Sequence, residues 1–384
     1  MQRFSGTSAT WWLALPNSSS HCLIGSLIGV AVGNALARSR SPAESVHWPQ
    51  LWKVLEALAV SPILGFVLAG LLYLICRKTL HDENLYKPVG DKPPIWWMRG
   101  ILILTCSGVS FAHGTNDGQK SIGLIMLTII GLFPATYALN PQASRSLEQL
   151  PAILRQAEPL VTKYGDDEKQ TALAAALSIE QRMSGSPADA PGAPPAPAAP
   201  SANPAQPAPP PAAPAQTKQQ KSNVRDDVYR VISQLKHAED SKSITPAEKK
   251  KAQELAKEIG SYVEYAPLWV RMLSAVVLGL GTMIGYKRIV KTLGERVGNV
   301  HLTPAQGASA EVVSALLIGT AGFTGLPVST THIVTSGIGG TMVSSGAGLR
   351  YAMIRRIVLA WVLTLPVTIV VAGGLYYLLA SPKF

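Results

Sequence analysis

The chain has 384 residues, 47% of them hydrophobic, with 34 basic against 23 acidic side chains and a formal net charge of +11. Mean hydropathy is +0.20 even though a long polar insert dilutes it, which argues against a soluble enzyme and for a membrane protein. Nucleic-acid binding would need the basic residues clustered on one soluble face. Here many fall in short connections between apolar runs (Arg77, Lys78, Lys87, Lys92, Arg99; Lys287, Arg288, Lys291, Arg296; Arg350, Arg355, Arg356), the positive-inside pattern of an inner membrane protein.

Met1 to Arg38 reads as a partial hydrophobic unit. No signal peptide is expected, since Met1-Gln2-Arg3 carries one charge and no clean apolar region with a small-residue cleavage site follows. Val54 to Cys76 is apolar for longer than the roughly 20 residues that cross a bilayer. A polar loop, Arg77 to Pro94, precedes Trp96 and Trp97, which suit an interfacial belt. Trp97 to Thr136 is almost uncharged. As one straight helix it would be about 60 Å long, against about 30 Å of hydrocarbon, so it is expected to cross twice or to break and re-enter.

The chain then changes character. A membrane region over 1–139 gives way to a hydrophilic region over 140–265, and a second membrane region follows over 266–384. Ser144 to Met183 reads as a moderately amphipathic helical stretch, with Leu147, Leu150, Ile153, Leu154 and Leu160 apolar. Ser184 to Thr217 is almost wholly Pro, Ala, Gly, Gln and Ser, and is expected to be an extended linker. Val224 to Leu235 and Pro246 to Ile259 read as two short solvated helices, with Thr245-Pro246 opening the second as N-cap and N1. Apolar runs resume at Leu268 to Tyr286, Ala305 to Phe323, Ile333 to Val343 and Ile357 to Leu379. Cys22, Cys76 and Cys106 lie in apolar sequence without metal or redox spacing and read as packing residues.

Two distant stretches are copies of each other. Leu15-Pro16-Asn17-Ser18-Ser19-Ser20-His21 and Leu326-Pro327-Val328-Ser329-Thr330-Thr331-His332 share the pattern L-P-x-S-[ST]-[ST]-H, and each runs into a Gly-rich apolar segment. Internal repeats of this kind are how many secondary transporters are built. Each motif reads as a helix start, with Pro16 or Pro327 pre-setting the first turn. N–H groups without intrahelical partners, the helix dipole and the added hydroxyls then make an anion site suited to a tetrahedral oxyanion. The competing reading has the Ser and Thr hydroxyls bonding to the preceding turn; the duplication weighs against it. His21 and His332 orient hydroxyls, carry a proton or pack.

His113-Gly114-Thr115-Asn116-Asp117-Gly118 is a second polar motif in apolar sequence. A carboxylate in a span costs about 3 kcal/mol by insertion scales and is kept where it has partners or faces a cavity. Gly114 and Gly118 would let the helix open, so that Thr115, Asn116 and Asp117 offer oxygens to a small cation or a proton. If the segment stays helical, His113, Asn116, Asp117 and Lys120 share one face, and Lys120 either neutralises Asp117 or holds an anion. The plainer alternative is a buried Asp117–Lys120 pair that only fixes helix packing. Glu311 lies in apolar sequence as a second cation or proton group, or at the interface.

These motifs resemble those of the inorganic phosphate transporter (Pit) family, in its low-affinity bacterial branch. The resemblance rests on His113-Gly114-Thr115-Asn116-Asp117-Gly118-Gln119-Lys120, on Thr282-Met283-Ile284-Gly285, and on Gly325 to His332. It implies an all-α polytopic membrane protein with inverted repeats, broken or re-entrant helices and a long hydrophilic central loop. It further implies no enzymatic activity and no catalytic residues, but symport of phosphate, free or as a metal–phosphate complex, with protons or sodium. Carried residue by residue, it places phosphate on Asn116, Asp117, Ser329, Thr330, Thr331, Ser18, Ser19 and Ser20. The coupling ion is expected at Asp117, Thr115 and Glu311, with Lys120, His21 and His332 in support. No cofactor or resident metal is expected. The partners are inorganic phosphate, membrane lipid and further copies of the chain, without nucleic acid. The first-half counterpart of the Asn-Asp motif would lie upstream of Met1, so the chain reads as shortened at its N-terminus. The runner-up is accordingly a non-transporting membrane protein with a regulatory or assembly role. An intramembrane protease fits poorly: Asp117 lacks a second membrane Asp, and neither Ser-His motif carries a Gly-x-Ser-Gly turn.

Overall fold

The computed structural model describes residues 15–46, 48–88, 95–140, 148–166, 168–183, 218–241 and 243–380. The Pro/Ala-rich tract expected to be extended, 184–217, lies outside them. The described secondary structure is helical. Its longer elements are α1 (Ser19–Ala37), α2 (Trp48–Thr79), α3 (Trp96–Leu132), α4 (Leu150–Tyr164), α5 (Lys169–Met183), α6 (Lys218–Asp240), α7 (Pro246–Gly260), α8 (Leu268–Glu295), α9 (Pro304–Thr324), α10 (Thr330–Ser344) and α11 (Tyr351–Ala380). Five of these, α1, α2, α8, α9 and α11, are long and apolar enough to cross a membrane. Large apolar side chains cover their outer faces. Ile284 on α8 is 81% exposed and Val370 on α11 is 72% exposed in the isolated chain, as lipid-facing positions are. The protein is an all-α polytopic membrane protein.

The chain divides into two compact units, one built from Met1–Ser121 with Met272–Phe384 and one from Ile122–Arg271. In the first, α1 packs along α11, and α10 packs along α2 with α9 against both. Small residues set these contacts, as they do between membrane helices generally. Gly25, Gly29 and Gly33 form one face of α1. A Cβ on Gly29 would overlap the carbonyl oxygen of Ile369, and one on Gly33 would come within 2.5 Å of the carbonyl oxygen of Gly373. The second pair repeats the first. A Cβ on Gly340 would overlap the carbonyl oxygen of Phe66, and one on Gly70 would stand 3.1 Å from the carbonyl oxygen of Gly340. A Cβ on Gly373 would likewise stand 2.8 Å from the carbonyl oxygen of Gly29. Contacts advance together along both members of each pair, so each pair runs parallel. Each motif helix therefore packs on a long helix from the other end of the chain. The long helices carry a sequence echo of their own, Ala69-Gly70-Leu71-Leu72-Tyr73 and Ala372-Gly373-Gly374-Leu375-Tyr376.

Two features differ from the sequence reading. The first is the stretch from Trp97, expected to cross twice or to break. It is one unbroken helix of 37 residues, α3. Gly114 and Gly118 permit opening but do not compel it, and the polar side chains beside them find partners without it. The second is Pro16 and Pro327, which lie two residues ahead of the helix caps and not in the first turn. The caps are Ser18 and Ser329, whose side chains accept the N–H of His21 and His332. A Ser hydroxyl satisfies an N–H that proline's position cannot reach, so the serine fixes where the helix begins. α10, at 15 residues, is about 22 Å long by its rise and too short to span hydrocarbon.

In the second unit, α4 to α7 share one apolar core of Leu150, Ile153, Leu154, Ile179, Val228, Ile232, Leu235 and Ile259 among others. The central hydrophilic region is thus folded over its described helices, and α6 and α7, which read as solvated, each bury one face. The stretch read as helical from Ser144 to Met183 is two helices in its described part, separated at Gly165 and Asp166. Gln234, 2% exposed, is satisfied by Asp166: its Nε2 donates to Asp166 Oδ1 at 2.7 Å, and its Oε1 accepts the Asp166 N–H at 3.0 Å. Thr245 and Glu248 form a capping box at the start of α7, as Thr245-Pro246 led one to expect.

Candidate functional site

The copied motifs give matching local structure. In each, the first Ser of the run is the N-cap, and its Oγ accepts a main-chain N–H three residues on: His21 to Ser18 at 3.1 Å, His332 to Ser329 at 3.3 Å. The N–H groups of Ser19, Ser20, Thr330 and Thr331 therefore lie in first turns, where the intrahelical ladder offers no acceptor. The two helix starts touch. Ser20 Oγ donates to the Val328 carbonyl at 3.0 Å, and the rings of His21 and His332 are 4.7 Å apart. Each helix then runs away along its own long partner, so the two dipoles deliver their positive ends to one region.

The Asn-Asp motif reaches the same region from α3. Because α3 stays helical, His113, Asn116, Asp117 and Lys120 do share a face. Asn116 and Asp117 are 5% and 8% exposed, a burial that a bare carboxylate would not tolerate. Asp117 has its partners. Ser19 Oγ donates to its Oδ2 at 3.0 Å, Lys120 Nζ lies 3.0 Å from its Oδ1, and His113 Nδ1 is 3.8 Å from its Oδ2. Lys120 also donates to Asn116 Oδ1 at 2.6 Å, Ser20 Oγ at 2.8 Å and the Val328 carbonyl at 3.1 Å. One ammonium thus joins both helix starts to the Asn-Asp motif.

Ser18, Ser19, Ser20, His21, Asn116, Asp117, Lys120, Ser329 and His332 are brought together with the start of α10, where Thr330 and Thr331 form the first turn. Two expected residues sit elsewhere. Thr115 is exposed, and its hydroxyl donates to the Ala112 carbonyl at 2.8 Å. Glu311 accepts from Thr105 Oγ1, twelve residues before Asp117 on α3 and so about 18 Å away along the helix axis.

The structure adds residues that motif reading missed. Trp361 on α11 stacks on His332 with ring centroids 3.9 Å apart, and its Nε1 donates to the Pro16 carbonyl at 3.1 Å. Thr364 Oγ1 donates to Asn17 Oδ1 at 2.8 Å. Together they fix the segment leading into α1. Neither carries a sequence signal, since both sit in an ordinary apolar span. His21 Nδ1 and His332 Nε2 are buried without a hydrogen-bond partner among the described residues.

The profile of the family described as "Phosphate transporter family" matches residues 5–372. The low-affinity inorganic phosphate transporter PitA of Escherichia coli (strain K12) is 35% identical over 395 residues, covering 96% of this chain and 77% of its own length. The low-affinity inorganic phosphate transporter of Buchnera aphidicola subsp. Schizaphis graminum (strain Sg) is 39% identical over 385 residues, covering 96% of this chain and 76% of its own. A solved structure titled "The sodium-dependent phosphate transporter" aligns at 16% identity with a TM-score of 0.43, over 97% of this chain and 76% of that one.

Proposed function

The chain belongs to the phosphate transporter family, and we propose that it carries inorganic phosphate across the cell inner membrane by secondary symport with a cation. It is a transport protein and not an enzyme. The observation that carries the proposal is the convergence of α1, α3 and the start of α10 on Asp117 and Lys120.

Phosphate is a tetrahedral oxyanion that wants several donors at once. The first-turn N–H groups of Ser19, Ser20, Thr330 and Thr331 and the hydroxyls of Thr330 and Thr331 supply such donors from two helix starts, backed by both dipoles, while the Ser19 and Ser20 hydroxyls donate to Asp117 and to the Val328 carbonyl. Ser18 and Ser329 hold those turns in place as caps. Asn116 adds an amide. Asp117 would repel an anion if it stood alone, and Lys120 offsets its charge.

Transport against the membrane potential explains the need for a cation. An inside-negative potential opposes an entering negative charge by about 2.3 kcal/mol per 100 mV, roughly a fiftyfold bias. A co-transported proton or sodium ion, or a divalent metal carried as a neutral complex, removes that penalty. In this proposal the coupling role centres on Asp117, the carboxylate that lies among the phosphate donors, while Thr115 and Glu311 act outside that cluster. The experiment is uptake of labelled phosphate in cells lacking other phosphate transporters. Expression of this chain is expected to restore saturable uptake that collapses when the membrane gradient is dissipated. Uptake that survives that treatment unchanged would remove symport from the proposal.

A further inference from the structure

The ammonium of Lys120 sits among four oxygens of unlike origin. They are the Asn116 amide oxygen at 2.6 Å, the Ser20 hydroxyl at 2.8 Å, an Asp117 carboxylate oxygen at 3.0 Å and the Val328 main-chain carbonyl at 3.1 Å. Three separate segments contribute. The side chain is 15% exposed, so most of its hydration has been replaced by protein oxygens. One carboxylate, one amide, one hydroxyl and one main-chain carbonyl beside a helix start form the donor set by which proteins hold a hard cation.

An ammonium bears only three N–H bonds, one fewer than the oxygens around it. At least one N–H is therefore shared between two oxygens, so the ammonium is held partly by its charge, as a caged cation is. An oxygen cage of this kind does not need a lysine to be satisfied; any monovalent cation of suitable size meets the same oxygens.

We propose that Lys120 is a tethered cation occupying an oxygen cage that otherwise suits an alkali cation, and that it frees this site from dissolved sodium or potassium. The proposal rests on the reading of this cluster as the transport site, and it leaves the proton as the coupling ion there. Lys120 then acts as the residue that sets ion specificity.

The test separates cage from transport. Purified full-length protein is melted in detergent at constant ionic strength in choline, sodium or potassium chloride. The wild type is expected to show one Tm in all three salts, because the cage is filled. Lys120→Ala removes the ammonium and opens its space. Its Tm is expected to be lower in choline and to climb with each tenfold step in sodium or potassium, as ligand linkage requires. Lys120→Met fills the space without charge and is expected to show the lower Tm with no salt response. A folded Lys120→Ala protein whose Tm ignores both alkali cations would overturn the cage. So would a wild type stabilised by sodium or potassium over choline, a comparison that decides the matter even if neither variant folds. Labelled phosphate uptake is measured separately, with and without sodium. Absence of wild-type uptake in both media with an unchanged Tm pattern would refute transport while leaving the cage standing, whereas uptake that requires sodium would overturn the release of this site from dissolved sodium.

Discussion

Gly340 packs directly on the main chain of Phe66, with no room for a side chain between them. The equivalent contact brings Gly29 onto Ile369, so the motif helices α10 and α1 are each seated in a long helix by a glycine. The obstacle at each position is a backbone carbonyl, which cannot rotate out of the way. Gly340→Ala and Gly29→Ala are each expected to lower stability by about 1–3 kcal/mol through overpacking. A Cβ at Gly281 on α8 meets nothing within 4 Å. Gly281→Ala is expected to be neutral, or to stabilise by up to about 1 kcal/mol through helix propensity. Thermal unfolding in detergent orders the three. Equal Tm for Gly340→Ala and Gly281→Ala would mean that the α2–α10 contact is looser than described.

The donors around the site are expected to contribute unequally. Thr330→Val and Thr331→Val each remove one neutral donor, worth about 0.5–1.5 kcal/mol, so the half-saturation for phosphate should rise about threefold to tenfold. Ser329→Ala acts differently because it removes the cap that accepts the His332 N–H. It should cost about 1 kcal/mol of stability as well as affinity. Phosphate uptake curves and Tm, taken together, separate the two kinds of loss.

Within the central unit, Leu235 is fully buried among Leu150, Ile179, Val228 and Ile259. Leu235→Ala is expected to cost about 2–5 kcal/mol locally. Hydrogen exchange should then quicken across α4 to α7 while the amides of α1 and α11 keep their protection, because the two units have separate cores. Equal loss of protection in α1 would mean that the units unfold together.

The start of α7 should respond to acid. Hydrogen bonds from Thr245, then Lys163 and Tyr164, hold the Glu248 carboxyl down to about 2, from an ordinary value of 4.5. A depressed carboxyl contributes stability that is complete above its unfolded pKa and is lost as pH falls through the folded one. The contribution should therefore fade between about pH 5 and pH 2, and salt should weaken it because the group is solvated. Hydrogen exchange in the first turn of α7, compared with Glu248→Gln at each pH, reads this directly. The two proteins should converge at the acid end.

Much of this was legible in the sequence, for identifiable reasons. Hydropathy marked α2 and α11 because each is apolar for longer than a bilayer is thick, and α8 and α9 as slightly shorter apolar runs. The repeat located both helix starts, since Ser-Ser-Ser-His and Ser-Thr-Thr-His carry their own caps. Helical spacing put His113, Asn116, Asp117 and Lys120 on one face. What could not be read depends on contacts between distant segments. The glycines beside Asn116 and Asp117 pointed to a broken helix; Ser19 and the Val328 carbonyl meet the polar groups there without one. Trp361 and Thr364 look like any residues of an apolar span until α11 is packed against Pro16 and Asn17. The apolar positions of α4 were visible, but their partners on α6 and α7 lie beyond a tract of Pro and Ala.

The most direct measurement is labelled phosphate uptake by Asp117→Asn beside the wild type, in cells lacking other phosphate transporters and with membrane levels matched. The amide keeps the shape of the side chain and its place beside Ser19 and Lys120, but it removes the charge that the coupling cation needs. The proposed site predicts loss of gradient-driven uptake in the variant and saturable uptake in the wild type. Uptake by Asp117→Asn at the wild-type rate would contradict it, because the carboxylate held by Ser19 of α1 and Lys120 of α3 would then have no part in transport.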